Sequence, residues 1–204
     1  MKTLTQTLFA TLLTAAILGT SAMTTFAGTS EKTEKETSAV TFNRIYVSGN
    51  VKLILVQKSK ENVSIEEDFN PANTTIRKNG YNLLINSTEA YPVTVTVAVK
   101  DLHRIDISGI SSVETRGNLE LKYLQIFMSY SASASIKAKT GSLYTVITDS
   151  AQLKLSGSAD EHTFVAKRNA KADMNNFICN KSEKLTTEAI AAISTNRAIV
   201  GKFR

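Results

Sequence analysis

The sequence is poor in several residue types that define common classes of protein. Its 204 residues include one cysteine, two prolines and no tryptophan. A single cysteine excludes a small domain held together by disulfides. No histidine and cysteine residues recur at the spacing of a zinc site, and no glycine-rich loop joins a strand to a helix for phosphate binding. We therefore expect no metal and no other cofactor.

Basic residues are in excess, but they are not clustered. The net charge is +6, and most lysines and arginines stand singly among apolar neighbours. A nucleic-acid-binding domain concentrates its basic side chains in a patch or along one helix face. We therefore expect no nucleic-acid partner.

Polar residues that suit β-strands are abundant. The chain contains 25 threonines and 20 serines, while 42% of its residues are hydrophobic. This composition disfavours a long helical bundle. The length and the apolar content fit one domain with one core.

The N-terminus resembles a secretory signal. Lys2 is the only charged residue before Glu31, and 8–18 is apolar apart from two threonines. Small residues follow, so we predict a signal peptide over 1–27 with cleavage after Ala27. A single-pass anchor is the alternative, but a span needs about 20 strongly apolar residues. We expect no integral membrane span after cleavage, and a location in the periplasm, the outer envelope or outside the cell.

Residues 28–39 carry charges of both signs with almost no apolar side chain. Such a segment cannot bury enough surface to offset its ordering entropy, so we predict a flexible leader. The folded domain is then predicted to cover 40–204.

Alternation of polar and apolar residues predicts strands from residue 44 onward. Examples are 44–48, 52–57 and 93–99, the last directly after Pro92. Asn79-Gly80 between two such runs predicts a tight hairpin turn.

The second half of the chain repeats itself. Ser108 is matched with Ser131, Thr148 and Lys167, which gives spacings of 23, 17 and 19 residues. Each unit is a short strand, a corner of small residues and a second short strand, and it cannot enclose a core alone. The prediction is an all-β, single-domain β-solenoid or β-helix whose stacked coils pair in parallel. The candidate surface at the coil corners comprises Ser108, Gly109, Ser111, Ser131, Ser133 and Asp149.

Two segments carry a resemblance to a known family. These are 42–51 (FNRIYVSGNV) and 102–113 (LHRIDISGISSV), followed by serine-alanine repeats. Together they resemble the head GIN domain family, secreted bacterial proteins labelled auto-transporter adhesins. The resemblance implies a β-solenoid-like fold, export to the envelope of Gram-negative bacteria and adhesin-like binding. The chain departs from the family pattern where Ala132 and Asp149 replace the glycines of two corners.

The predicted function is non-enzymatic binding of a glycan or an envelope protein through a face of the solenoid. Two alternatives stay open: a carbohydrate-active enzyme of the polysaccharide lyase or hydrolase type, or a structural envelope protein without a ligand. An enzyme requires two or more acids that converge on one groove. No triad pattern surrounds His103 or His162. Candidate acids near the corners are Asp106, Glu114, Asp149, Asp160 and Asp173.

The C-terminal part of the sequence is ambiguous. Residues 182–196 can form a helix or a final coil, and the repeat period favours the coil. Cys179 is either a buried small hydrophobe or an unpaired thiol that joins two chains. The sequence leaves the oligomeric state open.

Overall fold

The computed structural model describes residues 42–66 and 69–185. Over these residues the chain forms strands, turns and bends with no helix, which confirms the predicted all-β class. The predicted signal peptide ending at Ala27, the leader 28–39 and tail residues 186–196 lie outside the described residues. The strands are β1 (Arg44–Gly49), β2 (Val51–Gln57), β3 (Asn62–Ile65), β4 (Thr74–Asn79), β5 (Asn82–Ser87), β6 (Val93–Val99), β7 (Arg104–Ile107), β8 (Ser112–Thr115), β9 (Leu119–Met128), β10 (Ser133–Ile147), β11 (Gln152–Ala166) and β12 (Lys171–Leu185).

The twelve strands form one curled sheet with two branches. One branch contains β5, β1, β7 and β9, and the other contains β6, β2 and β8. Both branches meet on β10, whose first residues pair with β8 and whose later residues pair with β9. β11 pairs with β10, and β12 pairs with the other edge of β11. Because one strand serves both branches, the sheet curls back on itself.

Most strand pairs are parallel, as the repeats predicted. The antiparallel pairs are β3 with β6 and β4 with β5, at the two ends of the strand order. Parallel neighbours cannot be joined by a hairpin, so the chain must travel a longer path before it returns beside itself.

The register defines the length of that path. Ile126 lies between Ile105 and Thr145, and Thr145 lies beside Phe164, which gives steps of 21, 19 and 19 residues. The matching of Ser131 with Ser108 is therefore wrong. The residue level with Ser108 is Ser129, whose amide donates to the Ile107 carbonyl (3.0 Å).

The error has a physical cause. Serine recurs at every second position from 129 to 135, with alanine at 132 and 134, so a shift of two residues keeps serines on the outside and alanines inside. A register shift of one residue would exchange the two faces of the strand, so the alternation of polar and apolar residues excludes it. A shift of two residues leaves each side chain on the same face, so the alternation does not reveal it.

Side chains from both branches pack into one apolar cluster. Leu53 and Val95 of one branch and Ile105 and Ile126 of the other are completely inaccessible to solvent. Outward residues alternate with them along β1, β7 and most of β9, whereas the outward Ile54 of β2 and Ala98 of β6 are buried. Each branch nevertheless presents outward side chains to solvent, such as Tyr46 and Glu114.

The predicted hairpin is confirmed, with its turn one residue later than expected. β4 and β5 pair antiparallel, and Asn79 faces Asn82 in the last pair of the ladder. The turn consists of Gly80 and Tyr81, and Gly80 has a φ of 56°. Glycine adopts this left-handed conformation without the strain caused by a Cβ atom.

Burial decreases towards β12. Most of its side chains are exposed, and Met174, Phe177 and Cys179 are only partly buried against the core. Residues 182–185 continue this strand, as the coil interpretation of the tail predicts.

Candidate functional site

The residues of the first predicted corner are closely packed against the neighbouring backbone. Gly109 has a φ of 74°, and a Cβ atom there would lie 2.9 Å from the Gly49 amide nitrogen. The Ser111 side chain is inaccessible, and its hydroxyl lies within hydrogen-bonding distance of the Gly49 and Ser108 carbonyl oxygens (3.0 and 2.8 Å). The prediction that Ser111 belongs to a surface is wrong, because its side chain is buried and its hydroxyl can donate to either of two backbone carbonyls inside the corner.

The second corner lies at a different residue from the one that the matching of the repeats predicts. Tyr130, not Ala132, replaces the glycine, with a φ of 59°. Ala132 is fully buried, whereas Ser131 and Ser133 are exposed. The Ser131 amide donates to the Gly109 carbonyl, which ties this corner to the previous one (3.0 Å).

Asp149 braces the third corner. It also has a φ of 59°, and its carboxylate accepts hydrogen bonds from the Tyr130 amide (3.1 Å) and the Thr148 hydroxyl (3.2 Å). Arg168 of the next corner pairs with the same carboxylate. The hydrogen bond from the Tyr130 amide is the main reason that the pKa of Asp149 is lowered, and Arg168 lowers it further. The predicted corner residues thus stack on one another as part of the fold. Among them, Ser131 and Ser133 have exposed side chains.

Four residues outside the sequence-predicted candidates, together with the candidate acid Asp106, form a cluster on one outer face. We call it the aromatic face: the outward side of β1, β7, β9 and the later part of β10, defined by Tyr46, Arg104, Asp106, Phe127 and Tyr144. Tyr46 lies beside Asp106, and Asp106 lies beside Phe127. The Phe127 and Tyr144 ring centroids are 5.8 Å apart. All five side chains are partly exposed.

The centre of the aromatic face is rigid. The Arg104 guanidinium donates two hydrogen bonds of 2.7 Å to Asp106 and lies 4.0 Å from the centroid of the Phe127 ring. Both contacts hold its planar group in one orientation. The hydrogen bonds to Asp106 are the main reason that the pKa of Arg104 is raised.

A second polar chain lies beside this face. His103 Nε2 is 2.7 Å from Asp101 Oδ2, and Nδ1 is 2.9 Å from the Tyr123 hydroxyl. The rings of His103 and Tyr123 are also in contact, with centroids 4.4 Å apart. Tyr123 is 41% exposed on β9, the strand that carries Phe127. Tyr123 is distant from His103 in the sequence, so no local pattern indicates this arrangement.

The other histidine is internal. His162 is buried, its Nε2 lies 3.2 Å from the Thr145 hydroxyl, and its ring contacts Phe164 and Phe177. Burial lowers its pKa. It is a core residue.

The opposite outer face is polar. We call it the polar face: the outward side of β8 and the early parts of β10 and β11, defined by Ser112, Glu114, Ser133, Gln152 and Lys154. These residues line a shallow depression of about 390 Å³. It has no exposed aromatic side chain among its lining residues.

The candidate acids lie in separate places. Asp106 is on the aromatic face and Asp149 is at a corner, while Glu114 and Asp173 both line the polar depression. The register puts three strand spacings between Glu114 and Asp173, or roughly 14 Å. This is the distance between the two backbones, whereas the carboxyl groups of a catalytic acid pair lie about 5–10 Å apart.

Within residues 42–66 and 69–185, no group of three or more histidine, cysteine or acidic residues is arranged to hold a metal ion. The same part of the chain has no helix that could cross a membrane.

A curled, mostly parallel sheet with open outer faces defines an all-β protein of repeated architecture. The chain belongs to the family described as "Putative auto-transporter adhesin, head GIN domain", whose model matches residues 41–199. This confirms the resemblance seen in the sequence. No curated protein matches the chain.

Solved structures share the fold. A protein from Bacteroides fragilis described as a "putative adhesin" has a TM-score of 0.60 and 16% identity, over 72% of each chain. A "putative adhesin" from Parabacteroides distasonis has a TM-score of 0.55 and 14% identity, over 72% of this chain and 74% of that one. Another protein from that organism, described as a "Putative lipid binding protein", has a TM-score of 0.56 and 13% identity, over 74% and 76%. At these identities the likeness concerns the fold alone.

Proposed function

We propose that this chain is an exported, adhesin-like protein of the cell envelope or cell surface. It is built as a short β-solenoid and binds a glycan or an envelope protein through an outer face, without catalysis. Membership of a family named for adhesins supports the general role. The adhesin descriptions of the structural neighbours point in the same direction.

The solenoid interpretation is supported by the register. Successive lateral steps of 19 residues join β9 to β10 and β10 to β11, and both pairings are parallel. Left-handed residues recur at corresponding corner positions, including Gly109, Tyr130 and Asp149. A regular advance with a repeated corner is the geometry of stacked coils.

The aromatic face is the observation that carries the binding proposal. Tyrosine, phenylalanine and arginine provide large contact areas together with directed polar groups, and they are enriched at recognition surfaces. Here they are gathered from β1, β7, β9 and β10 onto an exterior that solvent can reach. Because Arg104 and Asp106 hold each other in place, a ligand meets these groups already ordered.

Export is supported by the predicted signal over 1–27 and by the family label. Expression in a Gram-negative host with fractionation and N-terminal sequencing tests it. The expected result is an envelope or secreted product that begins at Gly28. An uncleaved cytoplasmic product would contradict export.

Binding is tested with the purified mature protein on a glycan array and on solubilised envelope proteins. The double variant Phe127→Ala, Tyr144→Ala should weaken binding about tenfold or more, because it removes two aromatic contacts. Lys154→Gln on the polar face is the control and should bind like the wild type. Circular dichroism melts establish that each variant is folded.

Two results would overturn the proposal in different ways. Full binding by the folded double variant would move the site away from the aromatic face. The absence of any glycan or protein ligand for the wild type would instead favour a purely structural role.

A further inference from the structure

We infer that the aromatic face takes an acidic glycan, a chain of carboxylated sugar rings, and that Arg44 binds its carboxylate. This inference rests on the proposed function and narrows the ligand to one chemical class. It follows from a difference between two neighbouring arginines.

Arg44 and Arg104 lie side by side on β1 and β7. Arg104 is already occupied by Asp106 and by the Phe127 ring. Arg44 is exposed, and among the described residues its guanidinium has no hydrogen-bond or ion-pair partner. An unpaired guanidinium presents a fork of donors that matches a carboxylate.

The surrounding charges favour an anion. Arg77 is exposed on β4 and faces Leu84 of β5, which lies beside Tyr46. Of the nearby acids, Asp106 is ion-paired with Arg104, and Asp101 lies 2.7 Å from His103 Nε2, a group that is charged only when protonated. Arg44, Arg77 and Arg104 outnumber these two acids. The face therefore carries an excess of positive charge that its own acids do not neutralise.

The rest of the face suits sugar rings. Tyr46 is on the same side of β1 as Arg44, two residues further on. From Arg44 the lateral row runs through Arg104 and Gln125 to Tyr144, a distance of roughly 14 Å over three strand spacings. A ligand that crosses the strands can therefore contact the charge and the aromatic rings together.

Hydroxyl recognition separates a glycan from an acidic peptide. Each Asp106 oxygen accepts one hydrogen bond from Arg104 and keeps a further lone pair. A sugar hydroxyl can donate a hydrogen bond to Asp106, and the oxygen of the same hydroxyl can accept a hydrogen bond from a neighbouring donor. A carboxylate-rich peptide offers Asp106 only backbone N–H groups, which donate but, unlike a hydroxyl, cannot also accept a hydrogen bond.

The test compares three soluble polymers by biolayer interferometry at low and physiological salt. They are polygalacturonate, the same polymer after reduction of its carboxyls to alcohols, and polyglutamate. The wild type should bind polygalacturonate about tenfold or more tightly than either comparison polymer. Arg44→Gln should remove most of this preference, and Arg44→Lys should restore part of it because it keeps the charge without the fork.

Lys154→Gln is the matched control, since it removes the same charge from the polar face and should leave the preference unchanged. Equal binding of the reduced polymer, or of polyglutamate, would overturn the acidic-glycan inference. Capture of an envelope protein with no polymer bound would overturn it too, while the proposed recognition function would stand. If no polymer, array glycan or envelope protein bound, both would fail.

Discussion

The chain makes the same kind of turn at two sets of corners, but with different residues at the left-handed position. Gly49 and Gly109 have φ angles of 76° and 74°, whereas Tyr130, Asp149 and Arg168 each have a φ of 59°. The glycine corners touch backbone: a Cβ atom at Gly49 would lie 1.9 Å from the Ser87 carbonyl oxygen. At the later corners the Tyr130 and Arg168 side chains extend into solvent. Glycine is therefore required by close approach, since the left-handed backbone alone is tolerated by other residues.

The largest effect should come from Gly49→Ala. The new Cβ meets the Ser87 carbonyl, and the left-handed backbone adds its own strain. We expect a loss of about 3–5 kcal/mol in the free energy of unfolding, measured by urea denaturation. Gly80→Ala is the control, because Gly80 also has a positive φ but has nothing within 4 Å of the added atom. A loss as large in the control would show that close approach is not the cause.

The second-largest effect concerns the core, where Ile126 of β9 is more deeply buried than Phe177 of β12. Ile126 is fully buried between Ile105 and Thr145, so Ile126→Ala should cost about 2–5 kcal/mol. Phe177 on β12 is only partly buried, and Phe177→Ala should cost less despite the larger side chain. Chemical denaturation measures both. An equal or greater cost at Phe177 would contradict the decrease in packing towards β12.

An intermediate effect is expected from pH. Burial lowers the pKa of His162, so below about pH 6.5 the unfolded state binds a proton that the folded state resists. Stability should fall as the pH drops from 7 towards 5, by up to about 1.4 kcal/mol per pH unit. His162→Leu should flatten this dependence, since Leu143 holds the same position in the preceding coil. His103→Gln is the control, because His103 is half-buried whereas His162 is buried. Thermal melts at several pH values provide the measurement.

The smallest effect should come from Tyr130→Gly. Relief of the left-handed strain is partly offset by the greater freedom of glycine in the unfolded chain. We expect a gain of less than about 1 kcal/mol, opposite in sign to the loss at Gly49. A clear loss would mean that the Tyr130 ring, although 66% exposed, stabilises the corner.

Much of the fold could be predicted because strand and corner signals are local. The two-residue alternation predicts β1, β2 and β6, and the repeat indicates corners near Ser108 and Asp149. The short strands predicted beyond 133 are in fact long. β10 and β11 continue for 15 residues each through positions such as Thr140-Gly141, where the pattern alone suggests a break.

The amino-acid sequence determined which residues face inwards and where the chain turns, because side-chain alternation and small residues act on their immediate neighbours. Only the tertiary structure decided which coil positions lie level, since the serine-alanine run fits equally well when shifted by two residues. It also created the aromatic face. Tyr46, Asp106 and Phe127 are far apart in the chain and become neighbours only through the parallel register of β1, β7 and β9.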